Sequence, residues 1–555
     1  MNQPTAGQRL PASSVFTRRR ALGLGLTAAA TAVAAPALAA CGPSGDGGTT
    51  AGSTASVADA VPTYTPFPNK PKPDLPGTSG GALDAYLHYP ADPKPVTTGI
   101  PGDGKPIKGL AQLNAAPPTP LPQNSFWQEL NTRLGSPLEI QLVNAGDDFN
   151  SKIATLSAGD DFPDMMQVNG SIPSLGPFLK AKMLDLTPYL AGDKANDYPA
   201  LANIPTMFWE PCVFDGTLRA LPISRGMLSS LVTYYRTDVL EAAGVTAPLK
   251  NWEEIVAAAK EINAPKESRF GFGTIPLQMV RQMLGIPNGW HEVNGSLVHQ
   301  LEDERQTEAL EAVRKLQSDG LMHPELATAP PAQQQGWFGT GLAGFYAGTF
   351  SAWPSLALNF KVPADALQVL PVVGFADGTT PSTWMGNANN NITVIPASAK
   401  DRVETLLKVA NYLASPFGTA EQLFLSRGIE GKHFTFDGTD PRLLPDAANE
   451  LALGFGYMAC PPQVLYNADV PGYAEREHAA QVEFAKTASI DLSQKYYSET
   501  SSRKGPALGK AQTAAELDII YGRQPVSSWS DFVAKWRSDG GDKIREEIAA
   551  AKAGQ

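Results

Sequence analysis

The sequence predicts an α/β protein with a mostly parallel sheet. From about residue 124, short apolar runs typical of strands alternate with segments whose apolar residues recur at helical spacing. Strands separated by helices favour βαβ units, whose strands run parallel. The chain has 555 residues, 43% of them hydrophobic, so it can bury a sizeable core. The length fits about two to four domains, or one large bilobal body.

The N-terminus has the pattern of an export signal. Residues 1–40 carry four arginines and no acidic residue, whereas the whole chain has a net charge of −11. Arg18 and Arg19 precede an apolar run over 21–35 that is too short to span a membrane. The pair resembles a twin-arginine signal, with the general secretion route as the alternative. The acidic remainder argues against a nucleic-acid partner.

Leu38-Ala39-Ala40-Cys41 resembles a bacterial lipobox. We therefore expect residues 1–40 to be a signal peptide and Cys41 to become the lipidated first residue of the mature chain. Acyl chains on Cys41 would hold the protein at the extracytoplasmic face of the cell membrane. The alternative is a chance cysteine beside an ordinary cleavage site.

The next segment predicts a tether and an arm. Residues 41–75 begin with Gly, Ser, Thr and Ala and are expected to be a flexible tether. Residues 61–122 contain 15 prolines, too many for helices, so we expect an extended arm. Strands are possible there at 82–89 and 107–114.

The body then follows element by element. Strands are predicted at 138–143, 165–168 and 391–395. The helical pattern of apolar residues, with Asn251 and Glu254 spaced as in a capping box, predicts helices at 126–134, 149–157, 251–262, 302–318, 403–413, 475–490, 511–521, 528–537 and 542–552.

Several motifs, in this order, resemble the extracellular solute-binding proteins of family 1, which serve ABC importers. The similarity is closest to the lipoprotein subgroup associated with oligosaccharides, including aldouronates. The motifs lie at residues 124–130, 157–164, 185–189, 214–216, 221–222, 234–236, 252–254, 287–290, 411–418 and 521–525.

The resemblance implies a type II periplasmic-binding-protein-like fold: two α/β lobes, hinge crossovers and a central ligand cleft. Lobe one would comprise 60–223 and 375–417, and lobe two 224–374 and 418–555. It also implies a monomeric, non-enzymatic protein that captures a carbohydrate, an oligosaccharide above all, and delivers it to membrane permease subunits.

A sugar site needs aromatic surfaces and planar polar side chains in a concave surface. Aromatic residues near loops or glycines, loop amides and one arginine at the first crossover are therefore candidates, with core packing, turn chemistry or a salt bridge as the alternative for each. These ligand-binding candidates are Asn124, Trp127, Asn169, Trp209, Arg225, Trp290, Tyr346, Phe350, Trp353, Trp384 and Asn387.

Signatures of enzymes and cofactors are weak. Residues 339–344 match a dinucleotide-binding glycine spacing, but no helix start follows. The Glu430/His433 and Glu475/His478 spacings do not make a metal set, and 261–267 lacks the alternating oxygen ligands that calcium needs. We therefore expect no cofactor and no metal. Cys212 and Cys460 are expected to be free buried thiols, although export would permit a disulfide.

Two other functions stay open from the sequence. One is an exported glycoside-processing enzyme, since pairs such as Asp160-Asp161 occur, although adjacency does not place carboxyls across a sugar bond. The other is a surface lipoprotein without a role in transport.

Overall fold

The structure is a computed structural model that describes residues 57–114, 116–170, 172 and 174–553. The predicted signal peptide, Cys41 and the first part of the tether lie outside the described residues. Within the described part, no helix combines the length and the apolar character needed to cross a membrane.

A five-stranded sheet organises the first lobe. Its strands lie in the order Leu138–Asn144, Ile107–Leu113, Met165–Val168, Asn389–Val394 and Leu221–Ser224. The first three are parallel, but Asn389–Val394 runs antiparallel to both of its neighbours. Four of the five strands therefore point the same way, as expected for a mostly parallel sheet. The exception, Asn389–Val394, enters from the other lobe and so runs in the opposite direction.

A four-stranded sheet organises the second lobe, in the order Leu367–Leu370, Leu231–Arg236, Ala343–Thr349 and Phe270–Phe272. Only the last pair is parallel. Alternate residues face opposite sides of the sheet, so Tyr234 packs in one core and Tyr235 in another. Both faces of this sheet are covered.

Helices cover both sheets. Around the first sheet they are Ser125–Leu134, Asp147–Ser157, Leu175–Lys182, Thr187–Leu190, Pro199–Ala202, Thr206–Trp209, Val403–Leu413, Ala420–Arg427 and Ala447–Leu451. Around the second sheet they are Thr237–Ala242, Trp252–Ile262, Leu277–Met283, Gln306–Ser318, Pro331–Gly339, Trp353–Leu358, Tyr473–Ala485, Glu499–Ile520, Ser528–Trp536 and Asp542–Ala553.

The body of the chain passes between the two cores three times. Leu221 lies in the first core and Met227 in the second lobe, and further passages occur over 384–392 and 459–465. The predicted lobe two began again at residue 418. Phe424 and Met458 nevertheless pack in the first core, because the helices after 418 cover the first sheet before the chain leaves.

The arm also joins both lobes. Thr63 and Thr65 donate their amide protons to Gly192 O and Ala202 O in the first lobe, and Ala85 packs in the second. Residues 57–75, predicted as part of a flexible tether, are thus tied to the body by backbone hydrogen bonds. The possible strand at 82–89 is reduced to isolated bridges at Ala85.

The C-terminal helices differ in two places from the prediction. The helix predicted at 475–490 is Tyr473–Ala485, and the strand Ala488–Ser489 follows it. A single helix, Glu499–Ile520, replaces the predicted 511–521 and continues through Pro506. Proline removes one hydrogen bond from a helix interior. Burial of Leu508, Ile519 and Ile520 in the second core offsets this loss.

A partly buried carboxylate fixes the first long helix of the body. Glu450 accepts hydrogen bonds from Ser125 N at 2.7 Å, Ser125 Oγ at 2.6 Å and Phe126 N at 3.2 Å, and from His433 Nε2 at 3.2 Å. Burial alone would raise the pKa of Glu450, but the hydrogen bonds from Ser125, His433 and Phe126 outweigh it and lower this pKa to about 2. The negative charge also favours the helix N-terminus.

Replacing Glu450 with Gln should therefore lower the free energy of unfolding by about 1–2 kcal/mol at neutral pH. Because the folded-state pKa is depressed, the stabilisation by Glu450 is fully present above about pH 4.5 and is lost as the pH falls towards about 2. The gap between wild type and Glu450→Gln, measured by urea unfolding at several pH values, should close over that window. A gap that stays constant with pH would contradict the ionic role.

Candidate functional site

A cavity of about 850 Å³ lies where the three crossovers run together. Its wall includes residues from each crossover, such as Arg225, Trp384 and Gln463. The first sheet contributes Gln112 and Asn114, at the C-terminal end of the strand Ile107–Leu113. The cavity is therefore an interlobe cleft.

Hydrogen bonds hold the crossovers side by side. The amides of Arg225 and Gly226 both donate to Ala388 O at 2.9 Å. Ser229 Oγ donates to Asn387 O at 2.6 Å, and Ser224 Oγ donates to Pro461 O at 3.1 Å. These bonds tie the first crossover to both of the others, so the cleft has a defined floor.

Two glycines are required for this close packing. A Cβ at Gly386 would lie 2.3 Å from Ser229 Oγ. Gly289 has a φ of +47°, and a Cβ there would lie 2.1 Å from Asp491 Oδ2. Gly289 of the Pro-Asn-Gly-Trp motif at 287–290 thus leaves room for Asp491 to pack against the backbone at the cleft wall.

The lining is rich in amides and hydroxyls. Three aromatic residues, Trp384, Tyr457 and Tyr473, also line the cleft, and Trp384 is fixed because its Nε1 donates to Ile286 O at 2.7 Å. The amide group includes Gln112, Asn114, Asn288, Asn387, Gln463 and Gln494. Such side chains offer both donors and acceptors, which suits a ligand that carries many hydroxyl groups.

The two charged residues of the lining, Arg225 and Asp491, differ in how many hydrogen-bond partners their charged groups have. Arg225 donates once, from Nη1 to Ser224 O at 3.3 Å, and its guanidinium carbon lies 5.7 Å from the centre of the Tyr457 ring. Within the described part of the chain it has no ion-pair partner. Asp491 Oδ1 already accepts from Trp290 N and Ser493 N. Burial raises the pKa of Asp491, against the hydrogen bonds from Ser493 and Trp290.

A buried polar network supports Tyr473 from behind. Burial raises the pKa of the Tyr473 phenol, and the carboxyl of Glu477 lies close enough to raise it further. That carboxyl accepts from Gln481 Nε2 at 3.0 Å. Gln481 Oε1 in turn accepts from Leu83 N of the arm at 3.1 Å. Burial raises the pKa of Glu477 well above its ordinary value and so favours the protonated carboxyl. The arm is thus connected to the cleft wall.

Three of the predicted ligand residues, Arg225, Trp384 and Asn387, line the cleft. Their contact with a ligand stays a prediction.

The four first-lobe candidates lie away from this lining. Asn124 caps the helix Ser125–Leu134 and is fully buried. Trp127 and Trp209 bond inward, to Leu138 O and Ile204 O. Asn169 Nδ2 donates to Asn150 Oδ1 at 3.0 Å.

Four second-lobe candidates are also buried aromatic residues outside the lining. Trp290 packs beside Trp536 with ring centres 5.9 Å apart. Tyr346 and Trp353 pack against Tyr234, and Phe350 is fully buried. Tyr346 lies within the strand Ala343–Thr349, and Trp353 begins the helix Trp353–Leu358, so the local elements direct these rings into the core.

Sequence reasoning missed Gln112, Asn114, Tyr457 and Tyr473. The first two could have been found, since ligands bind beyond the carboxyl ends of parallel strands. Tyr457 ends the short helix Phe455–Tyr457, just before the third crossover, where the sequence has no clear helix or strand pattern. Nothing in the local sequence of Tyr473 distinguishes it from a surface residue.

Cys212 and Cys460 are both free and buried, as predicted. Burial raises the pKa of both thiols. They are therefore protonated at neutral pH.

The family model described as "Bacterial extracellular solute-binding protein" matches residues 124–420. A polygalacturonan/rhamnogalacturonan-binding protein of Bacillus subtilis is 23% identical over 385 residues, which are 65% of this chain and 75% of that protein.

Solved structures are also similar. A substrate-binding protein of an ABC transporter from S. pneumoniae, in complex with kestose, has a TM-score of 0.61 at 15% identity and covers 81% of this chain and 100% of its own. The structure of an alginate-binding protein without calcium ion has a TM-score of 0.59 at 14% identity. The match covers 82% of this chain and 99% of the alginate-binding protein. These likenesses confirm the predicted fold of type II with two lobes.

Replacing Glu477 with Gln should stabilise the protein increasingly as the pH rises above about 4.5. The unfolded chain releases the Glu477 proton there while the folded chain keeps it, so unfolding becomes easier for wild type by up to about 1.4 kcal/mol per pH unit. Gln cannot ionise and escapes this effect. Denaturant unfolding between pH 4.5 and 9 would measure it. Glu483→Gln, an exposed change on the same helix, is the matched control, and parallel pH profiles for Glu477→Gln and wild type would refute a protonated Glu477.

Proposed function

This chain belongs to the bacterial extracellular solute-binding proteins, and we propose that it is the lipid-anchored binding component of an ABC importer for an oligosaccharide. The observation that carries the proposal is the amide-lined cleft of about 850 Å³ between two lobes. A volume of this size fits a ligand of several sugar rings better than a single small ion.

The chemistry of the lining supports a carbohydrate. Sugar hydroxyls need planar donors and acceptors, which Asn114, Asn387 and Gln463 supply. The weakly apolar faces of sugar rings pack on aromatic side chains such as Trp384 and Tyr457. The names of the relatives agree with this class, since they refer to kestose, alginate and polygalacturonan.

The mechanism we propose is closure of the two lobes about the crossovers. A ligand that contacts both walls of the cleft is bound more tightly by the closed form and shifts the population towards it. Permease subunits in the membrane would then recognise the closed monomer. Export by the twin-arginine route and anchoring through Cys41 belong to the same proposal and keep the binding protein near the permease.

We further propose that the preferred oligosaccharide carries a carboxylate. Arg225 lines the cleft, and among the described residues its guanidinium makes one hydrogen bond. Arg binds carboxylates through paired hydrogen bonds. Asp491 already accepts hydrogen bonds from two backbone amides, those of Trp290 and Ser493. The Bacillus subtilis relative, named for polygalacturonan, fits this reading.

A panel of trigalacturonate, maltotriose and kestose, tested by calorimetry and thermal shift, should show trigalacturonate bound most tightly. A ligand at 100 times its dissociation constant adds about 2.7 kcal/mol to stability. Arg225→Gln should weaken trigalacturonate binding by about tenfold or more and leave any neutral sugar nearly unchanged.

Arg503→Gln, an exposed change on the helix Glu499–Ile520, is the matched control and should bind like wild type. Equal losses for acidic and neutral sugars would sink the carboxylate role. Chromatography of the same mixtures should show intact sugars, since released products would favour the glycoside-processing enzyme. A panel in which nothing binds would favour a surface lipoprotein without a transport role.

Replacing Cys41 with Ser should move the protein from the membrane fraction to the medium or the soluble extracytoplasmic fraction. The loss of acyl chains removes about 0.8 kcal/mol of membrane affinity per buried methylene. Immunoblotting of cell fractions would measure this, with Cys212→Ser as the control that keeps the anchor. Membrane retention of Cys41→Ser would contradict lipidation at this residue.

A further inference from the structure

A second contact joins the two lobes away from the crossovers. In the first lobe it is formed by residues 174–176, at the start of the helix Leu175–Lys182. In the second lobe it is formed by residues 497–502, at the start of the helix Glu499–Ile520. Ser174 Oγ donates to Glu499 Oε1 at 2.6 Å, Leu175 N donates to Ser502 Oγ at 3.0 Å, and Gly176 N donates to Tyr497 OH at 3.2 Å.

The second-lobe side of this contact is preorganised. Tyr497 OH donates to Glu499 Oε2 at 2.7 Å, so the two side chains support each other. Ser498 caps the helix through Ser501 N, and Leu508 and Ile519 anchor that helix in the second core. The acceptors therefore stand in place before the first lobe arrives.

The first-lobe side is shaped to receive the tyrosine. The Tyr497 ring packs edge-on against Phe214 with centres 5.8 Å apart. A Cβ at Gly176 would lie 3.1 Å from the ring and hydroxyl of Tyr497, closer than side chains normally approach. Glycine at 176 thus permits the ring to lie against the helix start.

The contact lies next to the cleft but outside its lining. Gln494, three residues before Tyr497, lines the cleft, whereas Tyr497 and Glu499 do not. The three crossovers run through 221–232, 384–392 and 459–465, so none of them passes through this contact. The contact therefore joins the lobes at a place separate from the crossovers.

We propose that residues 174–176 and 497–502 form a latch that holds the lobes closed over the cleft and so raises the affinity for ligand without touching it. This inference rests on the proposed function and adds a contact that controls the ligand affinity of the same cleft. The apparent dissociation constant equals the intrinsic one divided by the fraction of closed protein. Loss of the latch lowers that fraction, and two lost hydrogen bonds should weaken binding by about fivefold or more.

The test compares Tyr497→Phe/Ser502→Ala with Tyr496→Phe/Ser501→Ala. The first pair removes two of the cross-lobe acceptors. The second makes the same chemical changes at neighbouring positions for which the described part of the chain shows no side-chain bond to the first lobe. Spin labels on Thr155→Cys and Lys510→Cys, both exposed and one on each lobe, report the distance between lobes by electron–electron double resonance. The full chain carries Cys41→Ser, and Cys212 and Cys460 stay unlabelled because they are buried.

In the ligand-free protein we expect longer and broader distances for Tyr497→Phe/Ser502→Ala, and the wild-type distribution for the control pair. A latch variant with wild-type distances would overturn the proposal, and so would an equal shift in the control. Calorimetry with trigalacturonate then tests the link to affinity: unchanged binding despite open lobes would also overturn it. If trigalacturonate fails to bind wild type, the proposed sugar class fails, while the distance measurement still decides whether the latch exists.

Discussion

Three segments of chain cross between the lobes side by side, and their backbones share hydrogen bonds. Ala388 O accepts from two successive amides of the first crossover, and Ser224 reaches the third through Pro461 O. Because these groups satisfy one another, the crossovers can lie at the bottom of a cleft without leaving buried backbone groups unpaired. The two lobes, the cleft and the polar lining all follow from this pairing.

Two kinds of residue lie near the hydrogen-bonded crossovers: polar residues at the cleft wall and aromatic residues behind it. Amides and hydroxyls on the crossovers, such as Asn387 and Ser229, keep polar atoms at the wall while binding their neighbours. The large aromatic rings close by, such as Trp353 and Phe350, face the interior of the second lobe and give the wall its stiffness. Trp384 combines both roles because its indole nitrogen is bonded inward while part of its ring remains at the wall.

Much of the fold could be predicted from the sequence, because local patterns specify local elements. The strand Met165–Val168 and the helix Val403–Leu413 lie where apolar spacing places them. Strand direction could not be predicted in the same way, since Asn389–Val394 owes its direction to the chain entering it from the second lobe. The site was predicted less well: a tryptophan beside a glycine signals a tight turn equally in a core and in a cleft. Arg225 was found because the resemblance placed a crossover at that position. Tyr473 was missed because its place in the cleft wall depends on contacts with Glu477 and, through Gln481, with the arm.

The arm has a mechanical consequence for the anchor that we propose at Cys41. Thr63, Thr65 and Phe67 bind the first lobe through a row of hydrogen bonds to Gly192, Ala202 and Asn203, before the chain reaches Leu83 and the network behind the cleft wall. A pulling force on residue 57 would load that row of bonds together, in shear, and the load would pass into the first lobe. Tension from the proposed anchor would thus reach the first lobe through these bonds before it reached Leu83 and the wall of the cleft.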